Sequence, residues 1–206
     1  MSSNIVIVDY GMGNMHSVKK ALKRLEVEAK ISSSSNEILN AEKIILLGVG
    51  HFKKAMENLK ELNLINPLND AVLLKKIPIL GICLGMQLMA NKSEEGNVEG
   101  LGWIDAEIKK FNVKDTITYK IPHIGWNSIN ITKDSIMMKE IPENAEFYFV
   151  HSYYCSPKNR DCIVNETHYE DDFVSAFEME NIFGVQYHPE KSHDNGSILL
   201  KNFINI

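Results

Sequence analysis

The chain has 206 residues, 44% of them hydrophobic and 24% charged, with a formal net charge of -5. That length can bury one good core, or one large α/β domain with a modest lobe added, and the composition is that of an ordinary globular protein. The acidic balance gives no electrostatic footprint for nucleic acid, and no apolar run reaches membrane-spanning length.

In chain order, Ile5–Val8 is a short continuous apolar run, the mark of a strand covered on both faces, and Gly11 and Gly13 follow it. The opening residues carry no positive segment before Asp9, so they read as a first strand rather than a secretion signal. Val18, Ala21, Leu22 and Leu25 recur at helical spacing, with lysines and Arg24 on the other face. A second strand is predicted over 27–31, a serine turn over 32–35, and a third strand over 43–47 that Gly48 to Gly50 ends. Residues 52–62 read as a helix, and 77–82 as a buried strand feeding a helix over about 85–91. Strands alternating with helices predict a parallel sheet with helices on both faces. Beyond Gly96 the pattern changes. Residues 102–132 show short alternating runs, and 146–154, 162–168, 173–177 and 182–187 are expected as antiparallel strands. A helix over about 196–204, with Ile198, Leu199 and Phe203 on its apolar face, closes the chain. The expectation is one α/β domain over residues 1–206, part parallel sheet and part strand-rich antiparallel lobe.

Cys83, Cys155 and Cys162 are odd in number and show no close-spaced pair. Neither a disulfide framework nor a C-x-x-C motif is present, and a reducing, cytoplasmic setting is expected. Gly81-Ile82-Cys83-Leu84-Gly85 has the form G-x-nucleophile-x-G at a predicted strand-to-helix junction. The glycines let the backbone turn sharply, and the new helix aims unpaired N–H groups and its positive end at the thiol. A buried apolar cysteine is the competing reading, and this stretch alone does not separate the two.

A base for such a nucleophile should lie elsewhere in sequence, and Tyr187-His188-Pro189-Glu190 follows a predicted strand. Pro189 restricts His188 toward an extended backbone, where residues two apart face one side. Glu190 then sits beside the imidazole and fixes its tautomer, as the third member of a triad does. Gly48-Val49-Gly50 can bring an N–H toward Cys83 and, with the N–H of Leu84, form an oxyanion hole. Two rival chemistries are weaker. A metal site of His188, Glu190 and His193 lacks the P-C-x-x-C partner of zinc deaminases. A dinucleotide loop over residues 11–16 has His16 where glycine or alanine is needed, and serines where an acidic residue is expected.

GICLGMQ around Cys83 and GVQYHPEKS around His188 and Glu190 resemble the class I (triad) glutamine amidotransferases. The resemblance runs from DYGMGN at 9–14 to LLKNF at 199–203, with PHIGWN at 122–127 and FYFVHSYY at 147–154 between. It implies a flavodoxin-like open sheet and a Cys83, His188, Glu190 triad that hydrolyses glutamine to glutamate and ammonia, with no cofactor and no metal. Gly50, Leu84 and Gly85 would line the oxyanion and substrate site, and Gln87, Glu95, His151, Ser152 and Tyr153 match positions that hold glutamine. Asn14, His123, Trp126, Tyr148 and Lys191 match a docking face for a (β/α)8 cyclase subunit, which receives the ammonia in histidine biosynthesis. Leu47-Gly48-Val49-Gly50 departs from the family's Pro-Gly-Val-Gly. GHFKKAM at 50–56 and GLGWIDAE at 100–107 look more like a paralogous branch that serves surface-sugar amidation. A free-standing cysteine peptidase on a related scaffold is the alternative of another class.

Overall fold

The computed structural model describes residues 4–206. Strand β1 (Ile5–Val8) leads through α1 (Met15–Arg24) to β2 (Ala29–Ser32), and α2 (Ser35–Leu39) leads to β3 (Lys43–Gly48). Helices α3 (Phe52–Glu61) and α4 (Ile65–Asn69), the latter running on into a π-helical turn (Asp70–Leu74), return the chain to β4 (Ile79–Cys83). The short α5 (Leu84–Leu88) follows at once, then β5 (Ala90–Ser93), β6 (Val98–Glu99), β7 (Ile104–Lys110), β8 (His123–Ser128) and β9 (Asn130–Ile131). Next come β10 (Glu146–His151), β11 (Tyr153–Pro157), β12 (Ile163–Tyr169), β13 (Asp171–Met179) and β14 (Ile182–Val185), and α6 (His193–Ile204) ends the chain.

The main sheet runs β2-β1-β3-β4-β14-β13-β11-β7-β5-β6, with β12 on β13 and β9 on β12. Its first five members are parallel. Because successive side chains face opposite ways, the apolar runs of these strands feed two cores. Val6, Val8, Ile44 and Leu46 pack with α3 and α4 on one face. Ile5, Ile7, Ile45 and Leu47 pack with α1 and α6 on the other. Strands β3, β4 and β14 lie side by side, and Gly48 pairs with Cys83 at their C-terminal ends. That is the edge where open α/β sheets bind ligands.

Several expectations are corrected. The parallel part and the strand-rich antiparallel part are as expected, with β13, β11 and β7 extending the main sheet and β8 and β10 forming a small antiparallel sheet of their own; the corrections concern single elements. Strand β14 is the seam, antiparallel to β13 but parallel to β4. The run expected as one strand over 146–154 breaks at Ser152: β10 pairs with β8, whereas β11 pairs with β7 and β13. The helix expected over 85–91 stops at Leu88, because Ala90–Ser93 hydrogen-bonds as a strand between β7 and β6. The serine turn ends in a short helix from Ser35, and the segment 65–74, unassigned from sequence, is helical. Pro67 lies in the first turn of α4, where its missing N–H has no helical partner to lose.

Candidate active site

Cys83 closes β4 with φ +52° and ψ -113°, a conformation that L-residues avoid and that costs on the order of 1–3 kcal/mol. The flanking glycines explain how the turn is made. A Cβ on Gly81 would meet the Met86 backbone at 2.7 Å, and one on Gly85 would lie 1.9 Å from the Leu46 carbonyl oxygen. Both glycines therefore let α5 fold back tightly on β4 and β3. Gly85 serves this packing and does not line the cavity beside Cys83, which corrects its expected place in the substrate site. Cys83 as a residue is 5% exposed, and its thiol donates to the Val150 carbonyl at 3.8 Å.

His188 follows β14 with an extended backbone, as Pro189 demands. Its Nδ1 lies 2.9 Å from Glu190 Oε1, and both side chains are 2% exposed. Glu190 reaches the imidazole from a 3-10 turn over Pro189–Lys191, not through the strand alternation expected. Burial lowers the imidazole pKa, but the charges of Cys83 and Glu190 outweigh it and raise it to about 10. His188 Nε2 has no hydrogen-bond partner of good geometry, and the sulfur of Cys83 is the charge acting on it most strongly. Ser192 braces the group by accepting from the Tyr148 N–H at 3.0 Å and donating to the His188 carbonyl at 2.6 Å.

A cavity of about 410 Å³ opens beside the thiol, lined by Gly50, Leu84, Gln87, Glu95, His151, Ser152 and Tyr153 as expected, and also by Val49, Pro122, Val150 and Lys191. A larger groove of about 580 Å³ between Lys53, Met56 and Val98 is lined by no cysteine, serine or histidine. Gln87 donates to the Tyr153 carbonyl at 3.0 Å and to Gln186 Oε1 at 2.9 Å. Glu95 accepts from the Phe52 N–H at 2.7 Å, capping α3 while facing the cavity. Both ring nitrogens of His151 are engaged inside the protein, Nδ1 with the Tyr153 carbonyl at 2.8 Å and Nε2 with His123 at 3.1 Å. Its side chain has no nitrogen left to hold a substrate, so only its main chain and ring edge face the cavity.

The expected docking residues separate. Trp126 is 44% exposed and stacks on His193 with centroids 5.0 Å apart, while the Lys191 ammonium lies 5.4 Å above the Tyr148 ring. Asn14 is exposed and caps α1 by accepting from the Ser17 N–H. His123 is 3% exposed and faces inward, stacked between Phe149 and Tyr169, so it presents no docking surface. His193 is spent on Trp126, and among the described residues no cluster of three or more His, Cys, Asp or Glu could hold a metal ion. The loop over 11–16 is filled by the protein itself, since a Cβ on Gly13 would meet Leu47 and Gly48 at 3.0–3.2 Å.

Sequence reasoning passed over two residues. Gln186 donates to Cys83 Sγ at 3.6 Å, and its position two residues before His188 is the signal that could have found it. Tyr10, fully buried, donates from its hydroxyl to the Leu47 carbonyl at 2.7 Å. Burial and the charge of Cys83 both raise its pKa.

A strained cysteine at a strand-to-helix elbow, with an imidazole and a carboxylate on the same edge of a mainly parallel sheet, defines an α/β enzyme of the thiol-hydrolase class. A family model described as glutamine amidotransferase class-I matches residues 6–206. The chain belongs to this family and is an enzyme of glutamine hydrolysis. Similar proteins include imidazole glycerol phosphate synthase subunit HisH 2 of Methanococcus maripaludis, 47% identical over 200 residues, covering 97% of this chain and 98% of that protein. The HisH subunit of Leptospira borgpetersenii is 43% identical over 203 residues, covering 98% and 100%. Among solved structures, a glutamine amidotransferase from Thermotoga maritima matches with a TM-score of 0.63 at 20% identity, covering 100% of this chain and 82% of that one. PurLQS from Thermotoga maritima matches at 0.72 and 14%, covering 100% and 99%. At these identities the structures share the fold.

Proposed function

We propose that the chain is the glutaminase subunit of an imidazole glycerol phosphate synthase, one amidotransferase domain over residues 1–206. The observation that carries this reading is a cavity lined by Cys83, with the buried His188 and Glu190 pair behind the sulfur, in a chain whose full-length relatives bear that subunit name. In this reading Cys83, as thiolate, attacks the side-chain carboxamide of glutamine. The oxyanion forms beside the N–H groups of Gly50 and Leu84, which stabilise it where charge develops. The imidazolium of His188 gives its proton to the leaving nitrogen, ammonia departs, and a glutamyl thioester remains. His188 then takes a proton from water, the resulting hydroxide attacks the thioester, and glutamate leaves as the thiolate re-forms. Glu190 holds His188 through Nδ1 in both steps.

The ammonia passes to a (β/α)8 cyclase subunit, in a cytoplasmic heterodimer of histidine biosynthesis whose combined reaction is that of a lyase. The ribbon of β8 and β10 supports this partner: Ile124 and Trp126 are exposed, opposite Val150 and Tyr148, on a face that continues to the cavity at Val150. Aromatic and basic residues of this kind dominate interface energetics. The test is glutamine turnover by the purified chain, alone and with a histidine-pathway cyclase subunit and its nucleotide. The expected result is slow turnover alone, strong stimulation in the complex, and loss of both in Cys83→Ala. Absence of stimulation would count against the pathway, and full activity in Cys83→Ala would count against the chemistry.

A further inference from the structure

The hydrogen bonds around His123 have a direction that the chemistry of their ends fixes. The Tyr153 carbonyl can only accept, so His151 Nδ1 carries the proton in the 2.8 Å bond between them. Burial lowers the His151 pKa to about 3, so the ring is neutral and its Nε2 is an acceptor. The 3.1 Å contact with His123 must then be donated by His123 Nδ1. Burial likewise lowers His123 to about 4, leaving its Nε2 a bare acceptor. The Asn127 amide nitrogen faces that atom at 3.4 Å. Its orientation is set independently, because Asn127 Oδ1 accepts from the Ser128 N–H at 2.8 Å and Nδ2 donates to the His168 carbonyl at 2.9 Å. One donor-to-acceptor chain thus runs from Asn127 through His123 and His151 to the Tyr153 carbonyl.

That carbonyl is also the acceptor for Gln87, and it follows Ser152, where the chain leaves one sheet for the other. Between its ends, residues 151–153 wall the cavity beside Cys83. The ladder to β8 ends at His151 and the one to β7 begins at Tyr153, and between them the Ser152 carbonyl accepts one bond from the Phe111 N–H at 3.1 Å, to which these side-chain bonds add. On the outer face of the same ribbon, one residue from Asn127, stands Trp126.

We propose that His123 is a positioning residue for the glutamine site: as donor to His151 it fixes the main-chain corner at Ser152 and Tyr153 and ties that corner to the strand carrying Trp126. This inference rests on the glutaminase reading above. The experiment compares His123→Phe with His123→Asn in the full chain assembled with the cyclase subunit. Phenylalanine keeps the ring between Phe149 and Tyr169 but removes the donor. Asparagine loses the ring but keeps an N–H near the place of Nδ1. The expected result is a KM for glutamine raised about tenfold in His123→Phe, the scale of one lost buried hydrogen bond, with kcat nearly unchanged. His123→Asn should recover most of that loss.

Equal impairment in both variants, or an unchanged KM in a folded His123→Phe, would overturn the inference. Nitrogen-15 spectra of the wild-type rings at neutral pH give a second readout that needs no activity. Protons on Nδ1 of both histidines are expected, and a proton on Nε2 of His151 would overturn it. A wild-type complex that turns over no glutamine overturns the glutaminase reading and the inference with it. Failure of the variants against an active wild type overturns the inference alone.

Discussion

The hydroxyl of Tyr10 fills the space that a side chain at Gly48 would need, since a Cβ built on Gly48 lies 1.6 Å from the Tyr10 oxygen and 2.9 Å from its ring carbon. The same hydroxyl donates to the Leu47 carbonyl. Tyr10 thereby pins the glycine loop that leads to Gly50 from below. It does so through a backbone carbonyl, which any residue at position 47 supplies, so leucine in place of proline leaves the anchor intact.

Gly48→Ala should therefore destabilise the protein by about 1–3 kcal/mol, the cost of overpacking. In a Tyr10→Phe background part of that cost should disappear, because the 1.6 Å contact is gone and the 2.9 Å one remains. A double-mutant cycle of thermal or urea unfolding reads the coupling, and strict additivity would show that the two residues do not share this space.

The backbone of Cys83 predicts an uncommon ranking of variants. Cys83→Ala keeps the φ of +52° under strain, whereas glycine adopts it freely. Cys83→Gly should be more stable than Cys83→Ala by about 1 kcal/mol, against the usual penalty for glycine. Both should lose glutamine hydrolysis by at least about 10³-fold. Equal melting temperatures would argue against strain at the elbow.

Two sets of histidines act at opposite ends of the pH scale. The His188 imidazole is held at about 10 in the folded protein. An unfolded histidine titrates near 6.5, so this stabilisation is complete below about 6.5 and is lost as pH rises toward 10. Cys83→Ala removes the strongest raising influence, and His188 should then titrate at lower pH by NMR. A midpoint that does not move would contradict this. His123 and His151, lowered to about 4 and about 3, have the reverse sign. Their unfolded forms bind protons first, so stability should fall as pH drops below about 6.5. The slope should be shallower in His123→Phe, as pH-dependent urea unfolding can show.

Trp126→Ala should leave the fold and the triad in place, because the ring packs at the surface, stacked on His193 and edge-on to Tyr148. Affinity for the proposed cyclase subunit should fall by about tenfold or more, as for an aromatic anchor. Titration calorimetry with the partner measures it, and undiminished affinity would move the docking face elsewhere.

Much of this arrangement was legible because short apolar runs have few other uses. Ile5–Val8 and residues 77–82 read as two-sided strands, and the glycines on either side of Cys83 marked a sharp turn. What failed was the reading of continuity. No glycine or proline marks a turn between residues 146 and 154, yet the pairing partners change at Ser152 from β8 to β7, and partners are not written in a single segment. The run after Gly85 looked helical through Asn91, but strand pairing with β7 took over at Ala90. Gly85 appeared to serve the substrate site because it neighbours the nucleophile. Its role belongs to the Leu46 carbonyl, 39 positions earlier in the chain. His123 was placed on the docking face with Trp126, although period two puts residues 123 and 126 on opposite sides of a strand.

The elbow at Cys83 also bears on how such a protein ages over generations. A chain that exchanged its nucleophile for glycine would relieve a strained backbone and lose its chemistry in one step. Stability alone therefore favours inactive descendants of this fold, as binding subunits or remnants. Only selection for released ammonia keeps a cysteine where the backbone resists one.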